Sequence, residues 1–558
     1  MISNNSKQSL HWLDELLNSI LQWADDQQLN QLHVDDMKTP SGRVHTGSLR
    51  GVLLHDLVAK TLSKVSSKTI KSTYVFNDLD PMDGLPAYLD QEHYQQYMGV
   101  PLCKIPTPKL SESGIDFSKA SSQEKNRYQD AKNFAEFYAF DFIDAFRKLG
   151  CDQEIVWSHQ LYESGKMNDQ IRFVLDNVEA IKQVYQRVAN YQLPEKWYPF
   201  QAICPQCGKV GTTLTTDWDG KQVTFECQPD KVEWAKGCGY KGKISPFNGT
   251  GKLLWKVDWP AHWISMGVNI EGAGKDHTSA GGSRDMANSL LKEVFSSLVP
   301  FDIPYEWILV RGAKMSSSKG VGTSAREFVE LFPAEVGRFL FASRHYNSVI
   351  DFDPGTEAIP ELFDQYDQAA RIFWQQEPGD ERVGRSFELS VTNQSSKPHF
   401  LPRFRDIVIW MQDPKINLVE KLAEVKGKQL TQEELTVLDE RIECAKLWLE
   451  RHAPEKYRLS LVDELAIDEN AKVLHLDHEQ IGFLQELNKL LDSQEWQPEN
   501  LQQKIFELAK STVGAKKAFQ TIYLVFLGKT AGPKAAWLLL KMDQEKRRKR
   551  IEEVINNS

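Results

Sequence analysis

Residues 31–65, QLHVDDMKTPSGRVHTGSLRGVLLHDLVAKTLSKV, run from a short apolar strand through a proline, serine and glycine turn into a helix that begins near Thr46. Residues 71–81, KSTYVFNDLDP, have the β-rich apolar core and acidic end of a strand buried in a parallel sheet. Strand, glycine turn, helix and strand make a βαβ unit, preceded by an amphipathic helix. The expected fold class is therefore α/β, with a parallel sheet begun in residues 1–85.

Working outward, the character changes between about residues 86 and 250, where helical stretches such as EFYAFDFIDAFRKLG surround a small cysteine-bearing segment at about 200–245. This reads as an insertion. Residues 251–345, with LLWKVDWPAHWISMGVNIEGAGKDHTSAGGSRD and IPYEWILVRGAKMSSSKG, return to short apolar strands and glycine turns, so the sheet resumes there. From about 346 to 558 apolar residues recur at helical spacing, which predicts an all-α C-terminal domain. It ends in the basic run Lys546, Arg547, Arg548, Lys549 and Arg550, a pattern that on helices is usually a solvated face.

A chain of 558 residues, 41% of them hydrophobic, is long enough for more than one core. The balance of 67 basic and 77 acidic residues, −10 overall, leaves a nucleic-acid partner open, because a polyanion is met by a local basic surface rather than by the average. The first residues lack a basic stretch followed by an apolar one, and no window reaches the roughly 18 apolar residues of a membrane span. The expectation is a cytoplasmic protein with no membrane contact.

The seven cysteines are an odd number in a long chain, unlike a secreted disulfide framework. Four cluster: Cys204 and Cys207 in a Cys-Pro-Gln-Cys turn, then Cys227 and Cys238. Four thiolates at such spacing point to tetrahedral, structural Zn2+ with no open coordination position. Buried, unliganded cysteines are the competing reading.

Two motifs carry chemistry. Pro40-Ser41-Gly42-Arg43-Val44-His45-Thr46-Gly47-Ser48 sits at the strand-to-helix junction, where free N–H groups and the helix dipole favour an anion and Gly47 lets a nucleotide approach. An ordinary βα turn with His45 as a cap fits the same residues. Lys314-Met315-Ser316-Ser317-Ser318-Lys319 offers two ammonium groups and three hydroxyls, suited to a polyphosphate that gains charge as pyrophosphate leaves. A solvent loop with chance lysines fits it equally.

In this order the two motifs resemble the His-Ile-Gly-His and Lys-Met-Ser-Lys-Ser signatures of class I aminoacyl-tRNA synthetases, here His45-Thr46-Gly47-Ser48 and the loop from Lys314. Thr46, Ser48 and a serine at the inner lysine position depart from the pattern; Lys319 follows two residues later. NDLDPMDGLP, GVPLCKIPTP, LYESGKMNDQI, the cysteine cluster, LLWKVDWPAHW, GKDHTSAGGSRD and IYLVFLGKTAGPK narrow the likeness to class I lysyl-tRNA synthetases, over about residues 30 to 550.

The resemblance implies a Rossmann-like doubly wound parallel sheet, split by the zinc-bearing insertion and followed by a helical anticodon-binding domain. It implies ATP with Mg2+ bound by Gly42, His45, Gly47, Ser48, Asp276, Lys314, Ser316 and Ser317, with His45, Ser48, Lys314 and Lys319 catalytic. L-lysine would meet Thr39, Trp255, His277 and Tyr305, with Asp258 nearby as a carboxylate for its ammonium. Core packing of the aromatics and a pairing of Asp258 with Lys256 are the duller roles. The partner would be tRNA(Lys), and the protein a monomer.

One departure bears on specificity. Met37 stands where the family commonly has glycine, two residues before Thr39, and a methionine there reshapes the pocket. The same chemistry with glutamate or arginine thus stays open, as does a weakened paralogue that binds tRNA as a regulator.

Overall fold

The computed structural model describes residues 10–118, 120–279, 281–310, 312, 323–392, 397–413, 416–458, 476–528, 530–532 and 534–557. The chain forms two compact units, one from Met1–Asp353 with Gln365–Pro398, the other from Pro354–Asp364 with His399–Ser558.

In the first unit, β1 (Gln31–Lys38) is buried from Leu32 to Asp36 on both faces, as a central parallel strand must be. It pairs in parallel with β2 (Thr69–Phe76), Gln31 opposite Thr69 and Lys38 opposite Phe76. Between them runs α1 (Leu49–Val65), entered through a short 3-10 turn at Thr46–Ser48 and buried over most of its length. On its other side β1 meets β4 (Ile270–Gly274), Val34 opposite Ile270, and β4 meets β5 (Phe301–Tyr305). With β3 (Glu154–Trp157) beyond β2, the parallel order is β5-β4-β1-β2-β3. Leu54, Leu57 and Val58 of α1 and Leu13, Leu17 and Ile20 of the first helix pack on Leu32, Val34, Ile270 and Ile303. Each such burial contributes about 1.5–3 kcal/mol.

The sheet takes β3 from inside residues 86–250, the stretch whose sequence reads as an insertion. Its four residues lie between helices Phe134–Lys148 and Ser158–Glu163, too short an apolar run to stand out. The cysteines border a three-stranded antiparallel sheet of Thr213–Trp218, Val223–Cys227 and Lys241–Ile244. That segment leaves and rejoins the body through the antiparallel pair Phe200–Ala202 and Gly251–Leu253.

The second unit is helical, with no strand among its described residues. Capping boxes start two of its helices, Thr431 with Glu434 and Asp477 with Gln480, each satisfying otherwise orphaned backbone N–H groups. Trp448 is fully buried, its indole N–H donating to the Pro354 carbonyl at 2.8 Å. Part of the basic run is structural: Arg547 is buried and donates to the Leu539 carbonyl at 3.0 Å, and Arg550 to the Val525 carbonyl at 2.9 Å. Arg548 pairs with Glu552 at 2.8 Å. The outward charge of this helix is smaller than its sequence implies.

Candidate active site

The strand order reverses direction between β1 and β4, and a parallel sheet opens a crevice at the carboxyl ends of its strands at such a point. A cavity of about 880 Å³ lies there, lined by Lys38 and Thr39 after β1, Asn77 after β2, Gly274 of β4 and Tyr305 of β5. Its lining includes Thr39, His45, Gly47, Ser48, Trp255, Asp258, Asp276, His277 and Tyr305 from the residues singled out above. Gly42 stands in the same turn, at φ 146°, a conformation glycine tolerates, but does not line the cavity. Lys314, Ser316, Ser317 and Lys319 lie outside the described residues. The chain just after them is in place: Thr46 donates its backbone N–H to the Thr323 carbonyl at 3.1 Å and its hydroxyl to the same oxygen at 2.9 Å. Ala325 N–H bonds the Val44 carbonyl at 2.9 Å, and Arg43 pairs with Glu327 at 2.7 Å. Thr46, an oddity in the sequence motif, thus binds the turn to the chain that follows Lys314–Lys319.

The cavity's floor is acidic. Asp36 and Glu271 both line it and are 7% and 1% exposed, and Asp35 lies buried behind them. Burial, then the Glu271 charge, raises the Asp36 carboxyl well above its ordinary value; Lys38 partly offsets this. Burial pushes Glu271 up to about 7, against the opposing Arg284 guanidinium. Glu271 accepts the Trp259 indole N–H at 2.8 Å and also that of Trp263. Gly51 of α1 makes room at this floor, since a Cβ there would stand 2.7 Å from both Asp36 Oδ2 and Tyr305 Oη. His55, one turn on, accepts the Gly272 N–H at 2.7 Å and ties α1 to β4.

Asp258 also lines the cavity, but its charge is already met. Lys252 Nζ lies 3.6 Å from it and His262 Nδ1 3.3 Å, and the Tyr162 hydroxyl donates to it. Although burial acts to raise it, His262 and Lys252 hold the Asp258 carboxyl below its ordinary value. Its partner is Lys252, not Lys256, which donates to the Tyr191 hydroxyl at 2.7 Å. Lys252 also pairs with Asp80, and Asp80 accepts the Thr39 hydroxyl at 2.6 Å. Glu271 and Asp36 escaped the sequence reading, whose only signal was acids inside strands otherwise apolar.

Above the floor, Trp255 stacks on Trp259 with ring centroids 5.7 Å apart at 27°, and His277 meets Trp255 edge-on at 5.6 Å. Trp255 remains 44% exposed, leaving an aromatic face at the cavity. Met37 lines the cavity beside Trp259 and Trp263 and accepts the Asn77 amide at 3.4 Å on its sulfur.

The four cysteine sulfurs lie within 4.8 Å of one another, Cys204 to Cys238 and Cys207 to Cys227 both at 3.6 Å. Tetrahedral zinc with Zn–S of about 2.3 Å sets its sulfurs about 3.8 Å apart, so the residues fit that ion. The Cys238 N–H points to Cys227 Sγ at 3.4 Å and the Thr212 hydroxyl lies 3.2 Å from it, the outer hydrogen bonding that steadies a thiolate.

Residues 10–393 match the family model described as tRNA synthetases class I (K), and residues 403–555 match an anticodon binding domain. The protein is therefore a synthetase of class I. Within that class, the chain belongs to the (K) family. A lysine--tRNA ligase of Archaeoglobus fulgidus is 28% identical over 549 residues, covering 97% of this chain and 99% of its own. One of Picrophilus torridus is 28% identical over 551 residues, covering 98% and 99%. A solved glutamate tRNA ligase from Elizabethkingia meningosepticum covers 94% of this chain and 99% of its own at 12% identity and a TM-score of 0.36, too distant to bear on the site. Among the described residues no helix is long and apolar enough to cross a membrane.

Proposed function

We propose that this chain is a lysine--tRNA ligase, which activates L-lysine with ATP as lysyl-adenylate and transfers it to tRNA(Lys). The observation that carries the amino acid is the buried pair Asp36 and Glu271 at the cavity floor, beneath the Trp255 face. An ammonium completes that pair, an aromatic face holds the aliphatic stem, and Thr39, His277 and Tyr305 complete the wall. In this reading Glu271 and Asp36 take the role that the sequence offered to Asp258, whose charge Lys252 and His262 satisfy. The full-length likeness to lysine--tRNA ligases supports the same choice.

ATP lies along the turn Gly42 to Ser48, its phosphates at the N-terminus of α1 and its ribose at Asp276. The lysine carboxylate attacks the α-phosphate in line while pyrophosphate leaves toward Lys314, Ser316, Ser317 and Lys319. His45, Ser48 and the two lysines stabilise the charge that develops; the protein positions rather than forms a covalent bond. Magnesium bound with the nucleotide would neutralise part of its phosphate charge. The sheet is a Rossmann-like doubly wound one, residues 86–250 carry a structural zinc on Cys204, Cys207, Cys227 and Cys238, and the C-terminal helices read the anticodon. The enzyme works as a cytoplasmic monomer.

The test is amino-acid-dependent ATP–pyrophosphate exchange with total tRNA supplied, over all twenty amino acids. Lysine alone should support it. Exchange with glutamate or arginine instead would overturn the substrate, and no exchange with tRNA binding retained would favour a regulatory tRNA-binding paralogue.

A further inference from the structure

We propose a second metal site, outside the lining of the cavity and apart from the four-cysteine cluster, formed by Asp78, Cys103 and His159 and suited to zinc or a similar borderline-soft divalent ion. The three side chains each offer a ligand atom, and these atoms lie within 4.8 Å of one another. They come from three separate segments: the loop after β2, the short turn Leu102–Lys104, and the residues after β3. Backbone bonds hold those segments together. The Cys103 N–H donates to the Asp78 carbonyl at 2.8 Å and the Leu102 N–H to the Asp80 carbonyl at 2.9 Å.

The hydrogen bonding of Asp78 leaves one oxygen aimed at the cluster. Its Oδ1 accepts the Ser158 hydroxyl at 3.0 Å and the His159 N–H at 2.9 Å, while Oδ2 meets only the His159 ring at Nδ1. No hydrogen bond to the Cys103 sulfur is present among the described residues. Asp78 is 1% exposed and His159 21%, so the site is largely desolvated yet has an entry path. One thiolate, one imidazole and one carboxylate are a donor set that favours zinc; with bonds of about 2.0–2.3 Å the ion would enter between Asp78 Oδ2 and His159 Nδ1, parting the hydrogen bond that now joins them while the Cys103 sulfur completes the set, shifts within reach of side-chain rotation. Binding displaces the Cys103 thiol proton to solvent, and a water completes the tetrahedron. The ion staples the carboxyl ends of β2 and β3 to the chain that follows them.

The test titrates metal-free protein with Co2+ and counts tightly bound equivalents, for the parent and for Cys103→Ser and His159→Gln. Each variant should bind one equivalent fewer than the parent, while Cys204→Ser with Cys238→Ser removes a different one. Equal stoichiometry in the parent and both variants overturns the proposal. A readout on the unmutated protein guards against misfolded variants: Zn2+ should slow alkylation of Cys103 by iodoacetamide, followed by peptide mass spectrometry at fixed protein concentration. An unchanged rate at Cys103 in the presence of Zn2+ also overturns it.

Discussion

The indole N–H of Trp259 donates to Glu271 at 2.8 Å, so the acid at the cavity floor is held by the same ring on which Trp255 stacks. In the proposed reading, charge recognition and stem packing thus rest on one connected arrangement. Glu271→Gln keeps the shape and removes the charge. Loss of a charge-assisted hydrogen bond costs about 1.5–3 kcal/mol, so KM for lysine should rise about 10- to 150-fold with KM for ATP little changed. Steady-state exchange kinetics check this, and an equal rise in both constants would refute the assignment.

The same residue makes lysine binding depend on pH. Because burial holds Glu271 at about 7 in the free protein, an incoming ammonium favours the ionised form, and binding expels a proton. Lysine affinity should strengthen as pH rises through about 7 and then level off, a dependence lost in Glu271→Gln. The sign for folding is opposite. A carboxyl raised from 4.5 to about 7 contributes stability that is fully present below 4.5 and lost as pH rises through about 7. Isothermal titration calorimetry in two buffers of different ionisation enthalpy measures the proton release directly.

Gly51 invites a second substitution. Gly51 is the third residue of α1, where Gly→Ala gains at most about 0.8–1 kcal/mol, the value for a helix interior, and the new methyl would stand 2.7 Å from Tyr305 Oη and Asp36 Oδ2. Overpacking costs about 1–3 kcal/mol and should win. Gly51→Ala is expected to lower the thermal midpoint and weaken lysine binding, whereas an exposed Gly→Ala control stabilises. A stabilised variant with normal lysine KM would contradict the packing described.

Removal of Lys314 should act on chemistry. Lys314→Ala is expected to slow adenylate formation by roughly 10²- to 10³-fold, the scale of losing a charge-stabilising donor, with little change in lysine Kd. Pre-steady-state exchange and equilibrium binding separate the two.

The cysteine cluster predicts one tightly held zinc whose release unfolds the outlying sheet. Chelation should expose the thiols of Cys204, Cys207, Cys227 and Cys238 to a thiol reagent together, in one kinetic phase distinct from that of Cys103, and Cys204→Ser should abolish that phase.

Local pattern made part of this molecule legible. The βαβ unit of residues 31–81 could be read because strand, turn and helix each carry their own periodicity, and the four cysteines announce themselves by spacing. β3 could not, since Glu154–Trp157 is too short to show alternation. Glu271 was hidden for another reason: a single acid in NIEGAG means little until β4 pairs with β1 and brings it beside Asp35 and Asp36. Asp258 misled because its neighbour in sequence, Lys256, is not its partner in space; Lys252 is, and Lys252 also reaches Asp80 from the far side of the insertion.

That last lysine sits on Gly251–Leu253, the strand by which the cysteine segment re-enters the body, paired to Phe200–Ala202. Lys252 on that strand pairs with Asp80, and Asp80 accepts the Thr39 hydroxyl at 2.6 Å, so the strand that carries the cysteine segment back into the body also anchors the loop after β1 at the cavity.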